Sequence, residues 1–156
     1  MIRSLRPSAR AALIVGLLAL SGPALAQQKV EITADNFTID ETSHEAVFTG
    51  NVVVVHPSVT VHAPHVVATY GEGGTTDIET FEATGDVKLE TDEQTATGER
   101  AVFTPADQLL RLTGNVLVVN ASGTVGAEEL VVNLDTNVST FTSTEGGRVT
   151  GVFNTQ

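Results

Sequence analysis

Residues 81–119 read FEATGDVKLETDEQTATGERAVFTPADQLLRLTGNVLVV, and the spacing within them decides the fold. Gly85-Asp86-Val87 and Gly114-Asn115-Val116 each open an alternating apolar run, and a third copy stands upstream at Gly50-Asn51-Val52. Threonine directly precedes each glycine, at Thr49, Thr84 and Thr113. Thirteen residues after each glycine comes a small residue: Ala63, Gly98 and Ala127. Sixteen residues before two of the glycines lies a small-acidic pair, Ala34-Asp35 and Gly98-Glu99. The chain therefore reads as an N-terminal half-unit followed by about three copies of a 30-residue, multi-strand unit.

The repeat assigns side chains to faces. Aligned on the glycine, the second following position holds Val52, Val87 and Val116, and the fourth holds Val54, Leu89 and Val118. Between them stand Val53, Lys88 and Leu117, and the lysine marks that face as the wetter one. Strand alternation then sends the first two sets inward. Phe37 and Ile39, Val66 and Ala68, Ala101 and Phe103, and Leu130 and Val132 fill matching inward slots after the small position. A unit of short strands with no helix cannot close a core alone, so stacked copies share one. These patterns predict an all-β, elongated structure of two facing sheets, a jelly roll or a flattened β-solenoid, with Gly and Ala at its corners.

The ends bound the compartment. Arg3, Arg6 and Arg10 precede an apolar run from Ala11 to Leu20, and Ala24-Leu25-Ala26 has the small-x-small pattern of a cleavage site. That run falls short of the roughly 20 residues a membrane span needs, so residues 1–26 read as a secretory signal peptide cleaved after Ala26. A retained N-terminal anchor is the rival reading. Residues 27–156 are then a single exported domain in the periplasm. The chain has no cysteine, which excludes both a disulfide framework and a lipoprotein anchor at the cleavage site. The mature segment sets five basic side chains (Lys29, Lys88, Arg100, Arg111 and Arg148) against 19 acidic ones, a formal charge of −14. Such a surface repels phosphate backbones, so no nucleic-acid partner is expected.

Nothing in the sequence assembles a catalytic constellation, so the chain reads as a non-enzyme. Adjacent carboxylates such as Asp92-Glu93 and Glu128-Glu129 point to opposite faces of a strand and cannot flank one substrate atom. His56, His62 and His65 lie close in sequence, but Pro57 and Pro64 interrupt the segment and the spacing lacks zinc geometry. No metal and no cofactor are expected.

Ile32-Thr33-Ala34-Asp35, Ala83-Thr84-Gly85-Asp86-Val87 and the run TVGAEELVVNLDT at 124–136 carry a resemblance. Over roughly 30–150 the sequence resembles the OstA-like domain of the lipopolysaccharide-transport family (LptA/OstA). The resemblance implies a V-shaped, twisted antiparallel β jelly roll, open at its ends, that shields lipid A acyl chains of lipopolysaccharide between its sheets. It further implies inner-membrane-anchored and outer-membrane partners of the same fold, joined by edge-strand pairing, and a head-to-tail self-oligomer. On this resemblance the groove candidates are Phe37, Ile39, Phe48, Val52, Val54, Val66, Val87, Leu89, Phe103, Leu112, Val116, Val118, Leu130 and Val132. The strand Val30–Ala34 and the strands within Val138–Phe153 would form the pairing edges. The alternative is a structural β-solenoid or adhesive scaffold of the cell envelope without lipid cargo.

Overall fold

The computed structural model describes residues 29–144 and 146–156. The leader assigned to residues 1–26 lies outside the described residues. Ten strands follow one another: β1 (Glu31–Thr33), β2 (Asn36–Asp40), β3 (Glu45–His56), β4 (Val59–Tyr70), β5 (Ile78–Glu90), β6 (Gln94–Thr104), β7 (Leu109–Asn120), β8 (Gly123–Asn133), β9 (Val138–Thr142) and β10 (Thr150–Phe153). All pairings are antiparallel, and β3 to β8 form a simple meander. β1 and β2 both pair with β3, while β9 and β10 both pair with β8.

The expected all-β class holds, but the strands are longer than the sequence suggested. β3 to β8 run 11 to 13 residues each, and every ladder between them breaks register near its middle. The breaks fall between Thr49 and Val52, His62 and His65, Thr84 and Val87, Thr97 and Arg100, and Thr113 and Val116. The repeated Gly-Asn/Asp pairs are therefore β-bulges, two residues set opposite one, and not hairpin corners. Gly50, Gly85 and Gly114 take φ of +80°, +99° and +83° there, values that cost other residues strain and glycine none. Asn51 and Asn115 follow at +46° and +47°.

Aligned bulges crease the sheet. The two facing sheets expected from sequence are two leaves of one continuous hydrogen-bonded sheet, because a bulge bends a strand without ending its pairing. The first leaf holds β2, β9 and one half of each strand from β3 to β8. The second holds β1, β10 and the other halves. The outermost strands are split at the same line, β1 ending at Thr33 before β2 starts at Asn36, and β9 ending at Thr142 before β10 starts at Thr150. The first strand is Glu31–Thr33 rather than Val30–Ala34, and the split accounts for its end at Thr33.

Register defines the inner rows. On the first leaf Phe37, Phe48, Val66, Ala83, Ala101, Leu112, Leu130 and Phe141 stand side by side across successive strands. On the second leaf the row is Ile32, Val54, Val61, Leu89, Ala96, Val118 and Val125. Val52, Val66, Val87, Leu112 and Leu130 are fully buried, each worth about 1.5–3 kcal/mol of transfer from water. The leaves cross with an offset: His56 on β3 of the second leaf packs edge-on to Phe103 on β6 of the first, centroids 5.5 Å apart. Diagonally opposite corners stay uncovered, where Phe37 is 55% and Phe153 63% exposed.

Outward positions carry the charge. Arg100 lies 2.6 Å from Glu82, Arg111 3.1 Å from Glu129 and Lys88 2.6 Å from Glu90. Asp92 and Glu93 sit in the β5–β6 turn and not on a strand, so the opposite-faces reading applies only to Glu128-Glu129 on β8.

Candidate functional site

Among the described residues, a partly open apolar cavity lies between the leaves away from the crease. The second leaf supplies Val54, His56, Val59 and Val61, and the first supplies Val66, Phe81, Ala83, Ala101, Phe103 and Leu110. Val30 and Leu134, just outside β1 and β8, complete its rim. Its volume is about 30 Å³, small beside the roughly 150 Å³ cavity that admits a benzene ring. An alkyl chain therefore enters only if the leaves part.

These residues converge because alternation places every second side chain of each strand on the inner face, and the crease swings that face onto its partner. Phe81, Phe103 and Leu110 are direct cross-strand partners in one row. The rings of Phe81 and Phe103 stack nearly parallel with centroids 6.3 Å apart.

His56 is the one ionisable side chain on the lining. It is 7% exposed, and its Nδ1 accepts a hydrogen bond from the Ser58 backbone N–H at 3.1 Å. That bond puts the ring proton on Nε2 in the neutral form. Burial lowers its pKa from the ordinary value, because desolvation disfavours the imidazolium.

Among the groove candidates, Val54, Val66 and Phe103 line this cavity. Phe48 and Val132 are half-buried and pack against the core beside it. Val52, Val87, Leu89, Leu112, Val116, Val118 and Leu130 lie in the solid core. Phe37 and Ile39 are exposed on the edge strand β2, with Phe37 stacked on Phe48 at 4.6 Å. Sequence reasoning missed Val30, His56, Val59, Val61, Phe81, Ala83, Ala101, Leu110 and Leu134. For His56 a signal existed, since it shares strand parity with Val52 and Val54. For Leu134, in a turn, there was none.

The other histidines are apart from the cavity. His62 Nε2 lies 3.0 Å from Glu90 on the second leaf, and His65 Nδ1 lies 3.4 Å from the Thr84 hydroxyl on the first. The Glu90 carboxyl is held below its ordinary pKa by Lys88 first and His62 second. Among the described residues no cluster of three potential metal ligands forms, and no helix is long and apolar enough to cross a membrane.

A creased, open antiparallel sheet with an apolar interior and an ion-paired exterior defines a V-shaped β jelly roll. Residues 31–138 match the model of the family described as LptA/(LptD N-terminal domain) LPS transport protein, and the chain belongs to that family. An uncharacterised protein of Rhizobium meliloti (strain 1021) is 31% identical over 129 residues, covering 78% of this chain and 69% of its own length. The crystal structure of LptH, the LptA-homologous periplasmic component of the lipopolysaccharide transport device of Pseudomonas aeruginosa, superposes with a TM-score of 0.70. That match covers 82% of this chain and 96% of LptH at 18% identity, a likeness of fold.

Proposed function

We propose that this protein is a periplasmic carrier of lipopolysaccharide that holds lipid A acyl chains between its two leaves. The observation that carries the reading is the cavity, whose strand lining is aliphatic or aromatic apart from His56. A guest chain exchanges core contacts for its own, and each buried methylene contributes on the order of 0.8 kcal/mol. Many weak apolar contacts favour a cargo that must also be released. The formal charge of −14 on residues 27–156 disfavours a grip on a phosphorylated head group, which stays in solvent. Phe103, Val54 and Val66 line the path from the start, and the core candidates nearer the crease join it as the leaves separate.

The split edge strands are the joints to partners of the same fold, at β1–β2 on one side and β9–β10 on the other. Their unpaired backbone groups template another strand, and Phe37, Ile39, Val152 and Phe153 are exposed beside them. The small volume of the cavity is the one observation that favours the scaffold alternative. Comparing intact lipid A with a derivative stripped of its acyl chains separates the two. Binding of intact lipid A alone supports the carrier; equal binding of both, or of neither, overturns it.

A further inference from the structure

Ten of the cavity-lining residues belong to strands, and two do not: Val30, which precedes β1, and Leu134, which follows β8. The two differ in how they are held. β1 pairs over only three residues at a sheet edge, so Val30 stands on backbone that opens at little cost.

Leu134 is held through its backbone, and further hydrogen bonds shape the two turns that meet there. Its backbone N–H donates to the Gln108 carbonyl at 2.9 Å, which laces the β8–β9 turn to the β6–β7 turn. Asn133 Oδ1 accepts from the N–H groups of Asp135 and Thr136, both at 2.9 Å, and shapes the turn that carries Leu134. On the other turn, Gln108 adopts a φ of +51° and its Nε2 donates to the Pro105 carbonyl at 2.8 Å. On the first leaf the lining residues run from Val66 on β4 to Leu110 on β7, and Leu134, which follows β8, lies next in strand order.

We propose that Leu134 is an end-stop that sets the length of alkyl chain the cavity accepts once the leaves part. The inference rests on the carrier reading above and goes beyond it by assigning chain-length selectivity to one side chain. A guest lengthening along the opened cavity meets a branched side chain on a turn tied to its neighbour, whereas the Val30 side yields. Selectivity among acyl chains then comes from the turn and not from the strands, whose side chains contact every guest alike.

The test is displacement of a fluorescent fatty acid from the full mature protein by a homologous series from decanoic to palmitic acid. Leu134→Ala removes three carbons, and room for about two more methylenes shifts the palmitate-to-decanoate affinity ratio roughly tenfold toward the longer chain. Leu134→Phe shifts the same ratio toward the shorter chain, and it keeps the site filled should the alanine variant fold poorly. A purely structural role would weaken all chain lengths together and leave the ratio unchanged. An unchanged ratio in both variants, with wild-type binding intact, overturns the end-stop and leaves the carrier reading standing. Failure of the wild-type protein to bind any member of the series, or lipid A, overturns both.

Discussion

Asn115 Nδ2 donates a hydrogen bond to Glu99 Oε1 at 2.9 Å across the crease. Asn51 makes the same clasp to Asp35 at 3.0 Å two repeats earlier. In both cases the acid belongs to the small-acidic pair sixteen residues before the glycine, so the spacing of the repeat is the geometry of the clasp. The acid also fills the space beside the glycine. A Cβ on Gly114 would lie 2.8 Å from Glu99 Cβ, and one on Gly50 2.9 Å from Asp35 Cβ.

Gly114→Ala is therefore expected to lose stability twice, through the left-handed φ and through the collision with Glu99. The cost is about 1–3 kcal/mol, read from the urea midpoint. Adding Glu99→Gly takes away the colliding Cβ but not the left-handed φ, so the double variant should lose less than the sum of the two single changes.

Gly98 has a different reason to be small. A Cβ there would stand 2.7 Å from Leu112 Cδ1, and Leu112 is fully buried. Leu112→Ala is expected to cost about 2–5 kcal/mol, and Gly98→Ala about 1–3 kcal/mol. Because each change alters the same contact, the double variant should fall short of the sum by about 0.5 kcal/mol or more in a double-mutant cycle.

His56 gives the fold a pH dependence of definite sign. Its pKa in the folded chain is lowered from 6.5 by burial, so below that value the unfolded chain binds more protons than the folded one. Stability is then complete above 6.5 and declines as the pH falls toward the folded-state value. His56→Gln should flatten this slope in thermal melts. Asp40 and Glu90 are also held below their ordinary values of 3.8 and 4.5. Their contribution disappears in a separate, more acidic window that the substitution leaves untouched.

Edge pairing makes its own forecast. Proline at Ile32 on β1 or Val152 on β10 removes a backbone donor from a split edge strand. Either should weaken self-association roughly tenfold in sedimentation velocity, with circular dichroism unchanged. Undiminished association in both variants would place the joints elsewhere.

Much of this architecture was legible in the sequence because it repeats. The face of Val52, Val54, Val87, Leu89, Val116 and Val118 followed from alternation after each glycine, and all six are buried. What alternation could not reveal was whether Gly50-Asn51 reverses the chain or merely bends it. Two successive residues at positive φ also close a two-residue hairpin, and only the pairing of β3 with β4 on both sides of the pair separates the alternatives. For the same reason alternation alone could not place the cavity. The offset between leaves decides that Phe81 and Leu110 border space while Leu112 and Leu130 lie in solid core, and that offset comes from the twist of the whole sheet. Leu134 was invisible to any periodic reading, since its position depends on a hydrogen bond between two turns.

The carrier account stands or falls on where lipid touches the protein. The direct measurement is photo-crosslinking of lipopolysaccharide to the mature protein, with the reactive side chain placed in turn at Val54, Phe103 and Leu110, which line the cavity. Lys88 and Leu117 serve as exposed outer positions. The account predicts adducts at the three inner positions and none at the outer two. Adducts confined to Lys88 and Leu117, or absent from all five positions, would contradict it and leave the interior an ordinary closed core.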